Sequence, residues 1–77
     1  MKATLFKDNM PIKTFSDITR IDVEEKYGYF TLYQKIYKHT IIFVKPFRNV
    51  DKIVTYEKGE FGREIEKTYI PFMGKDK

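Results

Sequence analysis

"YFTLYQKIYKHTIIFVK", residues 29–45, decides how the rest of the chain is read. Side chains alternate with period two along its first half. Phe30 and Leu32 share one face, while Tyr29, Thr31 and Tyr33 share the other, as a half-buried strand requires. The second half, residues 39–45, is apolar on both faces at its centre, with Ile41 and Phe43 against Ile42 and Val44. A strand of that composition is expected in the middle of a sheet, covered on both sides. Between the halves, residues 35–38 lack Gly, Asn, Asp and Pro and make a poor tight turn. The expectation is a long hairpin whose tip leaves Ile36 and Tyr37 partly exposed.

The flanking sequence repeats the pattern. Residues 2–7 and 12–15 read as strands separated by the turn "DNMP", in which Pro11 ends pairing. Residues 17–26 allow a helix, with Ser16 or Asp17 as cap, but Ile21 and Val23 alternate with Arg20, Asp22 and Glu24 and favour a strand. Residues 26–28 form the next turn. After Pro46, residues 46–51 read as one helical turn that points Phe47 and Val50 inward. Residues 52–57 read as a strand and "KGEFG", residues 58–62, as a turn. Residues 63–70 read as a final strand with Ile65, Lys67 and Tyr69 aligned, although a short helix also fits their spacing. The fold class is therefore all-β: a small antiparallel meander of about six or seven short strands, sandwich or barrel-like, with turns every 8–12 residues. Residues 1–70 form one domain. Residues 71–77 form a tail, from which Phe72 could tuck back. The expected core includes Phe30, Leu32, Ile41, Phe43, Phe47 and Val50.

Length and composition narrow the class. Seventy-seven residues bury only about 60 % of the unfolded chain's surface, which leaves a modest stability margin. Thirteen aromatic residues compensate for a modest hydrophobic fraction. No cysteine is present, so disulfides, thiolate metal sites and thiol nucleophiles are excluded, and a reducing, cytoplasmic setting is expected. The longest apolar run, residues 41–44, is too short to span a bilayer, and no membrane association is expected. The net charge is +4 and spread along the chain, unlike a basic arm. Residue types with AT-rich codons fill half of the positions. With Met1 at the start and a short charged tail, that usage points to a complete small reading frame of a phage or mobile element.

Chemistry is sparse. His39 is the only histidine, and no set of nitrogen or sulfur ligands surrounds it in sequence. The acid pairs Asp22 with Glu24 and Glu64 with Glu66 sit among polar neighbours and read as solvated faces. Neither an enzyme nor a cofactor or metal site is expected. "KGEFGREI", residues 58–65, is superficially similar to the first ribonucleoprotein motif. Glu60 intrudes, and Arg63 and Glu64 replace the second stacking aromatic. "GEFG" matches the bare GXXG pattern, which elsewhere joins two helices, whereas here it lies between strands.

Residues 26–50 hold five basic residues, seven aromatics and no acid. Two readings follow. Exposed tyrosines flanked by charge are the usual composition of a protein interface, and Tyr29, Tyr33, Lys35, Ile36, Tyr37 and Lys38 are the candidate partner-binding residues. The partner is another protein or a second copy of the chain. The alternative is weak, sequence-independent binding of single-stranded nucleic acid, with bases stacked on the Tyr/Lys face of residues 27–48, Lys45 included.

Overall fold

The computed structural model describes residues 1–71. Seven strands fill most of the chain: β1 (Lys2–Lys7), β2 (Met10–Phe15), β3 (Ile18–Glu24), β4 (Tyr29–Ile36), β5 (His39–Pro46), β6 (Lys52–Lys58) and β7 (Glu64–Tyr69). The protein is all-β, and the one helical element among the described residues is a 3-10 turn at Glu60–Gly62. Both ambiguous segments, residues 17–26 and 62–70, contribute strands. All pairing is antiparallel and falls into two sheets, β2-β1-β6-β7 and β3-β4-β5. The local meander extends only through β3, β4 and β5. After Pro46 the chain crosses to the other sheet and lays β6 beside β1, with Leu5 opposite Ile53.

Turn chemistry explains the hairpins. Asp8 and Asn9 both take positive φ, 54° and 65°, so β1 and β2 are joined by a two-residue turn of the kind these side chains tolerate. Pro11 does not end pairing as expected. It lies within β2, opposite Phe6, where the register slips past Ile12 in a bulge. β2 is an edge strand, which is where a strand tolerates proline. Glu24 C=O accepts the N–H groups of Tyr27 and Gly28, and Gly28 turns the chain with φ of 79°. Residues 46–51 make the expected helix-like turn: the N–H groups of Asn49 and Val50 both donate to Pro46 C=O, at 2.9 and 3.1 Å.

The inner faces of the sheets enclose one cluster built from Ala3, Leu5, Phe15, Ile18, Ile21, Phe30, Leu32, Val50 and Ile53. Phe30 is fully buried and meets Phe47 edge to face at 5.0 Å. Phe15 of β2 and Phe43 of β5 bring the two sheets together, with ring centroids 4.6 Å apart. The ammonium groups of Lys13 and Lys45 lie 5.0 and 5.9 Å from the Phe15 centroid and cover this contact. At another corner Met1 and Ile18 exchange backbone hydrogen bonds, which stitches the start of β1 to β3. On the outer face of the larger sheet, Thr14, Thr4, Val54 and Thr68 form a row across four strands. Val54 is buried within it, and the hydroxyls of Thr4 and Thr14 are hydrogen-bonded at 3.0 Å.

Asp51 ties the crossover to the first hairpin. Its carboxylate accepts the Asp8 N–H at 2.7 Å and the Lys7 ammonium at 3.2 Å. The Asp8 bond first, and then Lys7, holds its pKa below the ordinary carboxylate value. A lowered native pKa stabilises the fold above the unfolded value of about 3.9, and that contribution vanishes as pH falls through the native value. Asp51→Ala should therefore lower the melting temperature at pH 7. Its gap to wild type should close as the pH drops below about 4, as followed by circular dichroism melts.

Core truncation should separate Phe30 from Phe43. Phe30→Ala removes a wholly enclosed ring and should cost about 3–5 kcal/mol in urea unfolding, close to the whole stability of a domain this small. Phe43→Ala, at a half-buried ring, should cost measurably less.

Candidate functional site

The register of β3, β4 and β5 sorts the predicted residues onto different surfaces. Tyr29, Tyr33 and Lys35 lie on the outer face of the three-stranded sheet, away from the core. Across the strands Tyr33 stands between Arg20 and Ile42, Thr31 between Asp22 and Val44, and Tyr29 between Glu24 and Pro46. Tyr29 and Tyr33 are half-buried, and Lys35 is exposed. The Tyr27 ring stacks on Tyr29 at 6.1 Å. The Arg20 guanidinium sits 5.4 Å from the Tyr33 centroid and also bonds Asp22 at 2.9 Å, which raises the Arg20 pKa above its ordinary value.

Ile36 belongs to the opposite face, where it pairs with His39 beyond the end of the core. Tyr37 and Lys38 form the tip. The expectation of a poor tight turn is corrected here: Ile36 and His39 are paired across a two-residue turn. Tyr37 supplies the conformation this needs, with φ of 57°. A left-handed backbone is unusual for an aromatic residue and is strained relative to glycine. The ring is 91 % exposed, so no packing on its own chain compensates for that conformation.

The largest departure from expectation concerns β5. It is an edge strand, not a central one, and among the described residues its sole partner in the sheet is β4. Ile42 and Val44 project from the outer face with 57 % and 53 % of their surface exposed, and Ile41 is also open. Ile41 thus lies outside the buried core. Lys45 is misplaced as well: it lies opposite Phe30 on the inner side and covers Phe15 and Phe43 instead of joining the tyrosines. Sequence reasoning missed Ile42 and Val44 as surface residues because two-sided apolarity was read as two-sided burial. The chain leaves β5 at Pro46 for the other sheet, so among the described residues no strand follows on its edge and its outer face stays open.

A second exposed ring, Phe61, sits in the 3-10 turn with φ of 62° and 96 % of its surface open. It lies between strands and not on one, so it does not occupy the position of a stacking aromatic on a sheet face. Among the described residues no group of three or more His, Cys, Asp or Glu side chains converges on a common point. No described helix is long and apolar enough to cross a membrane. The expected tail falls mostly outside the described residues, as does Phe72.

No known protein family, curated protein or solved structure matches the chain at a significant level. The chemistry of the surface alone must therefore discriminate between partners. Although residues 26–50 contain no acid, β3 brings Asp22 and Glu24 beside Thr31 and Tyr29. Asp22 neutralises Arg20 on this face, Glu24 repels phosphate beside Tyr29, and the withdrawal of Lys45 removes one counter-charge. A labelled single-stranded oligonucleotide should accordingly show no saturable binding in fluorescence anisotropy at about 150 mM salt.

Proposed function

We propose that the chain is a small non-catalytic binding module that engages a protein partner through the β4–β5 tip and the adjoining outer face of its sheet. The observation that carries this reading is Tyr37, an aromatic side chain held in a left-handed turn and open to solvent. Strained conformations of this kind persist where the residue type serves something besides folding. Tyrosine offers a large, rigid contact with a polar end at little entropic cost, which suits an interface anchor. Lys35, Lys38 and Ile36 surround it with charge and apolar area, and Tyr33 and Ile42 extend the surface along the sheet.

Several broader inferences accompany the reading. A sequence without cysteine suits a reducing, cytoplasmic compartment. The AT-rich residue usage supports a phage or mobile element as the source. Single-stranded nucleic acid is the less favoured ligand, because Asp22 cancels the charge of Arg20 and Glu24 flanks Tyr29.

Tyr37→Gly tests the proposal directly. Glycine relieves the positive φ at a modest entropic cost, so the melting temperature should stay level or rise. In a parallel pull-down from cells that express the protein, the variant should lose a specific partner that the wild type retains. Marked destabilisation of Tyr37→Gly would show that the ring supports the fold, and retention of every partner would remove the tip from the interface.

A further inference from the structure

The edges of the two sheets are treated unequally. β2 carries Pro11 and a bulge at Ile12. β7 carries Glu64, Glu66 and an inward-facing Lys67, whose ammonium lies 5.1 Å from the Tyr69 centroid. Proline, bulges and charges are the usual devices against strand addition. Over residues 40–44, Thr-Ile-Ile-Phe-Val, β5 has none of them. A short, uncharged, β-branched segment on an open edge is the composition that pairs with another strand.

Hydrogen-bond parity fixes what that edge presents. Ile36 and His39 close a two-residue turn, so they form a hydrogen-bonded pair, and such pairs alternate along the hairpin. Ile41, Phe43 and Lys45 therefore spend their backbone groups on β4. Lys35 confirms the parity, because its N–H points the other way and donates to Asp17 C=O at 3.0 Å. The N–H and C=O groups of Thr40, Ile42 and Val44 face outward. Among the described residues no turn or loop hydrogen bond reaches them.

We infer that this edge pairs with β5 of a second copy, antiparallel, about a two-fold axis at Ile42. In that register Ile42 meets Ile42 of the second copy, and Thr40 and Val44 meet each other's counterparts. Every outward donor and acceptor of the three residues is used. Ile41 lies opposite Phe43 of the second copy on the inner side. The cross-strand pairs are β-branched or aromatic and carry no charge, so the centre of the seam holds no like-charge contact. Pro46, which has no N–H, falls opposite Lys38 of the second copy, where the ladder ends. The two three-stranded sheets become one of six strands. An isologous contact closes on itself and does not propagate into a fibre. A single strand pair is a small interface, so the dimer belongs to the weak class, with a dissociation constant on the order of 10–100 μM.

The test is sedimentation equilibrium of the wild type across about two decades of concentration around that range, which should show monomer passing to dimer. Ile42→Lys places two ammonium groups face to face at the axis and should remain monomeric, with an unchanged circular dichroism spectrum because the side chain points outward. If that variant unfolds, cysteine cross-linking decides. The chain has no cysteine, so Ile42→Cys can form only an intermolecular disulfide. It should cross-link under mild oxidation much faster than Ile12→Cys, a similarly exposed position on the β2 edge. A wild type that stays monomeric throughout, an Ile42→Lys protein that dimerises normally, or equal cross-linking at the two positions would overturn the inference. Tyr37→Gly should dimerise like wild type, so failure of this contact and failure of the tip as a partner anchor are separately visible.

Discussion

The burial of Phe30 and Leu32 against Leu5 and Ile53 is the contact on which the molecule depends. β4 is the only strand of its sheet with a neighbour on each side, and β1 and β6 are the paired centre of the other. Phe30, Leu32, Leu5 and Ile53 are fully enclosed. A chain this short has enough apolar residues to fill one layer between two sheets and little left to cover their outer faces. The outer face of the larger sheet settles this locally, with threonines around Val54. The outer face of the smaller sheet does not, and Ile42 and Val44 stay in water.

That shortage links packing to function. The proposed binding surface consists of what the core could not absorb: the far side of β5, the tip beyond it and the half-buried tyrosines between. Phe15 and Phe43 close the sandwich on this side, with Lys13 and Lys45 spread over the rings. Lysine stems cover apolar surface while their ammonium groups stay hydrated. The protein thus shields one apolar contact near β5 with its own cations and leaves the neighbouring one open.

Much of the architecture was legible because alternation is a local signal. Phe30, Leu32, Ile21 and Val50 announce their burial by spacing alone, and Asp8-Asn9 announces its turn by chemistry. Strand order was not legible. Nothing in residues 52–57 says that they pair with residues 2–6, since that choice depends on packing across the whole chain. The same gap explains the misreading of β5. Composition shows that a strand can be buried on both faces, whereas only the strand order shows whether anything covers it. For the candidate site, the sequence supplied the residues but not their grouping. Tyr29, Tyr33 and Lys35 share a face, Ile36 turns away, and Asp22 and Glu24 arrive from a strand outside the stretch that drew attention. Tyr37 was expected at a tip, but its left-handed backbone was hidden because no turn-forming residue marks it.

The pairing of β1 with β6 also sets a timetable for synthesis. Residues 2–6 cannot find residues 52–56 until about fifty further residues have been made. The first hairpin therefore leaves the ribosome with one side of its central strand waiting, while β3, β4 and β5, whose contacts are close in sequence, can assemble meanwhile. The fold is completed late, when β6 arrives beside β1 and β7, made after it, pairs with the far edge of β6. A nascent chain that stalls after β5 would hold the smaller sheet with no lid over Phe30.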